Sequence, residues 1–186
     1  MNLASLDFVN SDWRDWRGTG RTEDRLLNPR WREDFLRQWN LGRQGVPDNS
    51  ELSDLRALRT LLREIIQEIV AQNRPAGQEL SSLNAYLKRV PLYRQVSCLD
   101  GKAAITLVPL KRGWDWVMAS IAASFVDLLQ EDPRRLKICA NLDCSWVFYD
   151  ESRNRTRRWC DGGICGNLVK VRQFRARNRD RHGPQA

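Results

Sequence analysis

The strongest periodic pattern of apolar residues lies in the middle third of the chain. Leucine and isoleucine recur every three or four positions from Leu52 to Ile69, a spacing that predicts a helix over about 52–72. Asp48 followed by Glu51 is typical of a helix N-cap, and Pro75 followed by Gly77 ends the pattern. The pattern therefore predicts a long, capped amphipathic helix.

Shorter patterns on either side predict four more helices and a hairpin. The helices are expected over about 3–9, 30–39, 78–89 and 114–130, and the last is apolar on much of its circumference, which places it in the core. Two apolar runs, 93–99 and 103–109, flank the dipeptide Asp100-Gly101, which tolerates positive φ and predicts a hairpin. The segment 18–24 (GTGRTED) is expected to be a loop. Residues 1–133 are thus predicted to form a mainly helical α+β domain with one hairpin.

Charge divides the chain into two parts. The net charge of the 186 residues is +8, from 31 Lys and Arg against 23 Asp and Glu. Residues 134–186 hold 13 of these basic residues and 5 of the acidic ones, which leaves 18 of each in residues 1–133. The whole excess therefore lies in the last 53 residues, where four of the five cysteines also lie. We expect a neutral domain over 1–133 and a basic, cysteine-rich module over 134–186.

The chain has no pattern of a secreted or membrane protein. Its N-terminus contains Asp7 and Asp12 and lacks the basic and then apolar segments of a signal peptide. The most apolar stretch, 117–129, is far shorter than the ~20 residues that span a bilayer. We expect a soluble, cytoplasmic protein without a membrane partner, in which clustered cysteines are more often metal ligands than disulfides.

Few residues suggest catalysis, and we expect that the chain is not an enzyme. The single histidine, His182, lies in the C-terminal tail, away from any core position at which it could activate a nucleophile. Asp7 has no histidine or carboxylate nearby and is expected to be a cap or a structural hydrogen-bond acceptor. Four tryptophans in the first 40 residues are expected to pack in the core, and the alternative is a pocket for a substrate or effector: Trp13, Trp16, Trp31 and Trp39.

The candidate metal ligands are four cysteines with the spacing C-x4-C-x15-C-x4-C: Cys139, Cys144, Cys160 and Cys165. Two close pairs separated by a longer loop can hold one Zn²⁺ in a tetrahedron of thiolates, and four cysteine ligands leave no open position, as in structural sites. Free thiols or disulfides are the alternative. Cys98, on a predicted strand, is expected to be a small buried residue.

The sequence between the cysteines predicts a treble-clef-like finger. The segment 145–150 has strand composition, 151–157 is a polar turn, and 158–160 is expected to return as the paired strand. A helix is expected from Gly166-Asn167 to about Arg179, with Val171 and Phe174 facing the finger. Zinc would supply much of the folding free energy of so small a module.

Basic residues of this module are candidate contacts to nucleic acid, since clustered cations release counterions from a phosphate backbone. Nine residues of the predicted turn and helix are assigned to this role: Arg153, Arg155, Arg157, Arg158, Lys170, Arg172, Arg175, Arg177 and Arg179. A solvated charged face is one alternative. A zinc-stapled module that binds an acidic protein partner is another, and a third is RNA or single-stranded binding by stacking on the aromatic residues of the module.

Three segments resemble a known family. The sequences CANLDCSWVFYDESRNRTRRWCDGGICGN (139–167) and VKVRQFRAR (169–177) are similar to the CGNR zinc finger proteins of bacteria. Upstream, LDFVNS (6–11) and the helical region with one hairpin resemble the ABATE domain, for which a role in stress-induced transcription regulation has been proposed. The resemblance implies one structural zinc on the four cysteines, DNA binding by the basic residues around them, and residence in the cytoplasm or on the nucleoid.

The resemblance leads to a specific hypothesis and one exception. We expect a bacterial transcription regulator in which an N-terminal domain senses a ligand or forms a homodimer and the zinc finger binds DNA. Leu168 stands where the family has its signature arginine, after Gly-Asn, so any contact of that arginine does not transfer to this chain.

Overall fold

The computed structural model describes residues 3–72 and 77–181, with the side chains of 72, 77, 78, 180 and 181 left aside. Their backbone forms six helices and three two-stranded antiparallel sheets. The helices are α1 (Ala4–Val9), α2 (Pro29–Gln38), α3 (Asn49–Gln72), α4 (Gly77–Leu87), α5 (Trp114–Leu129) and α6 (Asn167–Arg181). The strands are β1 (Asp12–Arg14), β2 (Thr22–Asp24), β3 (Leu92–Leu99), β4 (Lys102–Pro109), β5 (Leu136–Ile138) and β6 (Val147–Tyr149). The predicted α+β class is confirmed.

The long helix α3 begins where its capping residues place it. The Asp48 carboxylate accepts a hydrogen bond from the backbone N–H of Glu51 (2.8 Å), and the Glu51 carboxylate accepts one from the backbone N–H of Asp48 (2.9 Å). These two bonds satisfy donors that the first turn of a helix otherwise leaves without partners. The capping pair therefore fixes the start of the helix at the N-terminal end of the apolar pattern.

The core lies between α3 and α5, with α1, α2 and α4 packed around them. The apolar residues that predict α3 are the ones it buries: Leu55, Leu58, Leu62, Ile65, Ile66 and Ile69. Val117, Ile121 and Phe125 of α5 face them and are almost wholly buried. None of the described helices has the length and apolar character needed to cross a membrane.

Two expectations about the N-terminal region were wrong. Part of the predicted loop 18–24 is β2, which pairs with β1, because a strand of three residues carries too little pattern to be seen in sequence. Cys98 is exposed rather than buried, since no other described strand joins the hairpin β3–β4 that carries it. The hairpin itself is confirmed, and positive φ at Asp100 (50°) and Gly101 (75°) forms its turn.

Residues 134–181, called the finger here, share the core with the helices. Leu136 of β5 and Val147 of β6 are buried in the same apolar cluster as α3 and α5. The side-chain amide of Asn10, at the end of α1, donates to the carbonyl of Val147 (2.9 Å) and accepts from its N–H (2.8 Å). The division of the chain at 133 stays a prediction, and in this structure the packing is continuous across it.

Candidate metal centre

The first cysteine pair lies in the turn between β5 and β6. The backbone N–H of Cys139, directly after β5, donates to the carbonyl of Trp146 (2.8 Å), and that of Cys144 donates to the carbonyl of Asn141 (2.9 Å). Ser145 then turns the chain with a positive φ of 53°. The turn aims both sulfurs at one point, and the backbone N–H groups of Asn141 and Trp146 donate to the sulfurs of Cys139 and Cys144.

The second pair lies in a turn that leads into α6. The Asp161 carboxylate accepts hydrogen bonds from the backbone N–H groups of Gly163 (2.7 Å) and Ile164 (2.8 Å) and so caps one π-helical turn over Gly162–Gly166. Cys165 lies in this turn, and Cys160 lies just before it. At Gly166 a Cβ atom would approach the Trp159 ring to 3.1 Å, so glycine lets the turn pack against that ring.

The structure brings all four predicted ligands together. Their sulfur atoms lie within 4.8 Å of one another. The distances from Cys160 Sγ to Cys144 Sγ and to Cys165 Sγ are both 3.7 Å. A tetrahedral ion with Zn–S bonds of about 2.3 Å requires sulfurs about 3.8 Å apart, so the cluster fits this geometry.

Electrostatics within the cluster also indicates a cation. Hydrogen bonds from Cys144 and Cys160 lower the pKa of Cys139, so that one thiolate forms readily. The same contacts raise the pKa of Cys144 and of Cys160, because further negative charge next to that thiolate is unfavourable. A divalent cation offsets this repulsion and allows all four sulfurs to ionise.

Residues outside the cysteine pattern complete the site. Buried Asn141 donates from Nδ2 to the carbonyl of Trp16 (2.8 Å) and to Cys165 Sγ (3.6 Å), so it links the N-terminal region to a ligand. Arg63 of α3 donates to the carbonyls of Ser145 and Val9, both at 3.2 Å. The position of Asn141, two residues after a cysteine, was the available sequence signal, whereas nothing in the local sequence marks Asn10, Trp16 or Arg63.

One strand of the predicted finger was placed wrongly. Residues 158–160 form no strand, and β6 pairs with β5, which precedes the first cysteine. A backbone hydrogen bond instead joins the later segment to the first cysteine turn, in which the N–H of Ala140 donates to the carbonyl of Arg158 (2.8 Å). Pairing with β5 brings Leu136 and Val147 into the main core together, whereas pairing with 158–160 would not place Leu136 beside β6.

Three of the predicted nucleic-acid residues make contacts within the protein. Arg155 forms an ion pair with Asp132 (2.8 Å), and this carboxylate also binds Arg134. Arg172 forms an ion pair with Asp143 (2.6 Å) and donates to the carbonyl of Arg17 (2.6 Å), which fixes the start of α6 against the N-terminal region. Arg157 donates to the carbonyl of Cys160 and lies over the ring of Phe148.

The other six predicted residues are exposed. The cationic groups of Arg158 and Lys170 lie 5.6 and 5.8 Å from the Trp159 ring, at the edge of the metal centre. The remaining four form no ion pair with another described residue: Arg153, Arg175, Arg177 and Arg179. Most of α6 extends from the body of the protein with its basic side chains in solvent.

The prediction that Val171 and Phe174 face the finger was wrong. Phe174 is 64% exposed and Val171 is 37% exposed, so neither side chain is buried against the metal centre. Leu168, in the position of the family arginine, is half-buried in that first turn. His182 lies outside the described residues.

Asp7 makes structural contacts, and the cavity beside Trp31 is small. The Asp7 carboxylate accepts hydrogen bonds from Trp39 Nε1 (3.2 Å) and Gln38 Nε2 (2.9 Å), and burial raises its pKa. The cavity beside Trp31 has a volume of about 10 Å³, the space of a single water molecule. Asp7 is therefore a structural hydrogen-bond acceptor here.

Comparison with known families gives two matches that together cover most of the chain. Residues 135–178 match the CGNR zinc finger, and residues 3–132 match ABATE, whose description is "putative stress-induced transcription regulator". No curated protein matches the sequence. The sulfur cluster and the finger match identify the four cysteines as the site of one structural zinc ion. The chain therefore belongs to the ABATE family and carries a C-terminal CGNR zinc finger.

Proposed function

We propose that the protein is a bacterial, DNA-binding transcription regulator in which the zinc finger and α6 contact the phosphate backbone. The observation that carries the proposal is the position of exposed cations that form no ion pair with any described residue. Arg175, Arg177 and Arg179 line an exposed helix that begins at the last zinc ligand. Arg153 and Arg158 lie on the finger itself. Zinc fixes the start of α6, so these charges are presented to DNA in a defined arrangement.

Contacts between the finger and the N-terminal region supply a route for regulation. The carbonyl of Arg17 accepts from Arg172 of α6, and the carbonyl of Trp16 accepts from Asn141 beside the zinc ligands. In this proposal the N-terminal region senses a ligand or forms a homodimer, and these contacts transmit its state to the DNA-binding helix. A cleft of about 290 Å³ beside α5, with Arg89, Lys111 and Trp116 among its lining residues, is large enough for a small effector. The proposal assigns no catalytic reaction to the chain.

Duplex DNA affinity measured across a salt series tests the DNA-binding role. Each phosphate contact contributes about −0.9 to the slope of log K against log [salt]. The triple variant Arg175→Ala, Arg177→Ala and Arg179→Ala should reduce the magnitude of this negative slope by about 2 to 3. The matched control is Arg30→Ala, since Arg30 is an exposed arginine on α2, remote in sequence from the finger. Equal slopes for the triple variant and the wild type would contradict the role of α6.

A zinc-stapled module that binds a protein is the second candidate, and the exposed Phe174 favours it. An apolar ring on a basic helix suits a partner that offers both an apolar pocket and acidic groups. RNA or single-stranded binding by stacking has less support, since Phe148 is buried and Trp146 and Trp159 pack against the cysteine cluster. Phe174→Ala distinguishes the two candidates: it should leave the salt slope for DNA unchanged and weaken binding to a protein partner.

A further inference from the structure

The hairpin β3–β4 has one apolar face and one more polar face. Residues paired across an antiparallel hairpin point to the same side, so the register Val96 opposite Ile105 defines one face and Gln95 opposite Thr106 defines the other. The apolar face carries one charge, Arg94, among eight residues: Leu92, Arg94, Val96, Cys98, Ala103, Ile105, Leu107 and Pro109. Such alternation is typical of a sheet that covers an apolar core with one side.

In this structure the apolar face is exposed except at Pro109, at the base of the hairpin, which is buried. Val96, Ile105 and Leu107 are 69%, 67% and 58% exposed, and every residue of β3 is exposed. No other described strand joins this sheet. An isolated two-stranded hairpin is at best marginally stable in water, so strands of eight residues with an exposed apolar face indicate a missing partner.

We propose that a second copy of this chain covers the apolar face, through a two-fold axis that packs the two hairpins face to face in antiparallel orientation. The hairpin is about 26 Å long at about 3.3 Å per residue. The seven exposed side chains of each copy, without the buried Pro109, would bury roughly 900 Å² in total, in the range of weak, transient interfaces. The dimer is therefore expected to be a weak, concentration-dependent one.

The position of the charges supports a second copy as the partner. Arg94 lies near the base of the hairpin, and Asp100 lies in the turn at its tip. An antiparallel two-fold axis that passes near residue 97 places Arg94 of one copy opposite Asp100 of the other, so the two charges approach each other. Each copy then contributes the same apolar surface and the same two charges, Arg94 and Asp100, as an isologous interface requires.

This proposal rests on the dimerisation role given above to the N-terminal region, and it is tested without DNA. Sedimentation equilibrium of the zinc-loaded protein, from about 1 µM to about 300 µM, covers the range expected for a weak interface. The weight-average mass should rise toward twice the monomer mass. A monomer mass across the whole range would overturn the proposal, and the DNA-binding role would be unaffected.

Two double variants locate the interface. Val96→Glu with Ile105→Glu places charges on the apolar face and should abolish the rise in mass. The matched control, Gln95→Glu with Thr106→Glu, changes the directly adjacent pair on the other face and should dimerise like the wild type. Equal loss of dimer in both variants would contradict a face-to-face arrangement. Because all four positions are exposed, neither variant is expected to unfold the monomer.

Cys98 offers a second measurement in the unmodified chain. It lies on the apolar face and is exposed, whereas the other four cysteines hold zinc. Its alkylation rate should fall several-fold as protein concentration rises through the range of dimerisation. In the Val96→Glu, Ile105→Glu variant the rate should be independent of concentration. A rate independent of concentration in the wild type would count against burial of this face.

Discussion

The hairpin with long strands, β3–β4, is largely exposed, whereas the hairpin with short strands, β5–β6, has buried side chains. The strands of β3–β4 have eight residues each, and its β3 strand is wholly exposed. The strands of β5–β6 have three residues each, and Leu136, Val147 and Phe148 are buried. Strand length and composition predicted the long hairpin, but they did not predict what covers it. Burial depends on what the tertiary structure places against each face.

The short hairpin is stabilised from two directions. Leu136 and Val147 join the main core, while Phe148 points into the cluster around the cysteines. Asn10 fixes the backbone of Val147 with two hydrogen bonds. The side chains of β5–β6 thus join the metal centre to the helical core.

Removal of zinc is expected to have the largest effect. The apparent binding free energy of a structural zinc is on the order of 10 kcal/mol in small fingers. In Cys160→Ser, bound zinc should fall from one per chain to nearly none. Amide protection against hydrogen exchange should disappear over 136–166 and persist in α3 and α5. Cys98→Ser is the control and should keep both zinc and protection. Full protection of the finger without zinc would show that the core alone folds it.

The second largest effect is expected when the two hydrogen bonds between Asn10 and Val147 of β6 are removed. Asn10→Ala leaves the buried N–H and carbonyl of Val147 without their partner, which should cost about 3 kcal/mol of unfolding free energy. Asn84→Ala, on the exposed surface of α4, should change it by less than about 0.5 kcal/mol. Urea unfolding of both variants measures the difference. Similar values for the two would mean that Asn10 does not hold the hairpin.

A matched pair of valines compares the two hairpins directly. Val147→Ala should cost roughly 2–3 kcal/mol, because Val147 is 1% exposed and its truncation leaves a cavity. Val96→Ala should cost less than about 0.5 kcal/mol at a protein concentration near 1 µM, where the proposed dimer is dissociated. Thermal unfolding at this concentration checks both values. A large cost for Val96→Ala in the monomer would show that β3–β4 packs against the body of the protein.

The smallest effect is expected at Gly166. A Cβ atom there would lie 3.1 Å from Cε3 of Trp159, so Gly166→Ala should displace the ring and cost about 1 kcal/mol, with a several-fold loss of zinc affinity. Gly162→Ala in the same turn is the control, because a Cβ atom there meets nothing within 4 Å. Competition with a chromogenic chelator measures the affinities. An equal loss in both variants would assign the effect to helix propensity rather than to the ring contact.

Periodicity predicted all six helices and the long hairpin to within a few residues, because each is long enough to repeat its pattern. It did not predict β1–β2 or the partner of β6, since strands of three residues repeat the pattern only once. The four ligands were predicted because the spacing of cysteines along the chain constrains which turns can form. Asn10 and Arg63 act across up to 137 residues of sequence, so no local pattern marks them.

The sequence by itself determined the helices, the metal ligands, the location of the positive charge and the family, since all of these depend on residue type and local spacing. Only the tertiary structure decided which arginines form ion pairs with other described residues. Arg155 and Arg172 are bound to Asp132 and Asp143, whereas Arg175, Arg177 and Arg179 remain in solvent. Only the tertiary structure, likewise, separated the buried hairpin from the exposed one. The physical reason is that ion pairing and burial depend on distances between residues far apart in sequence.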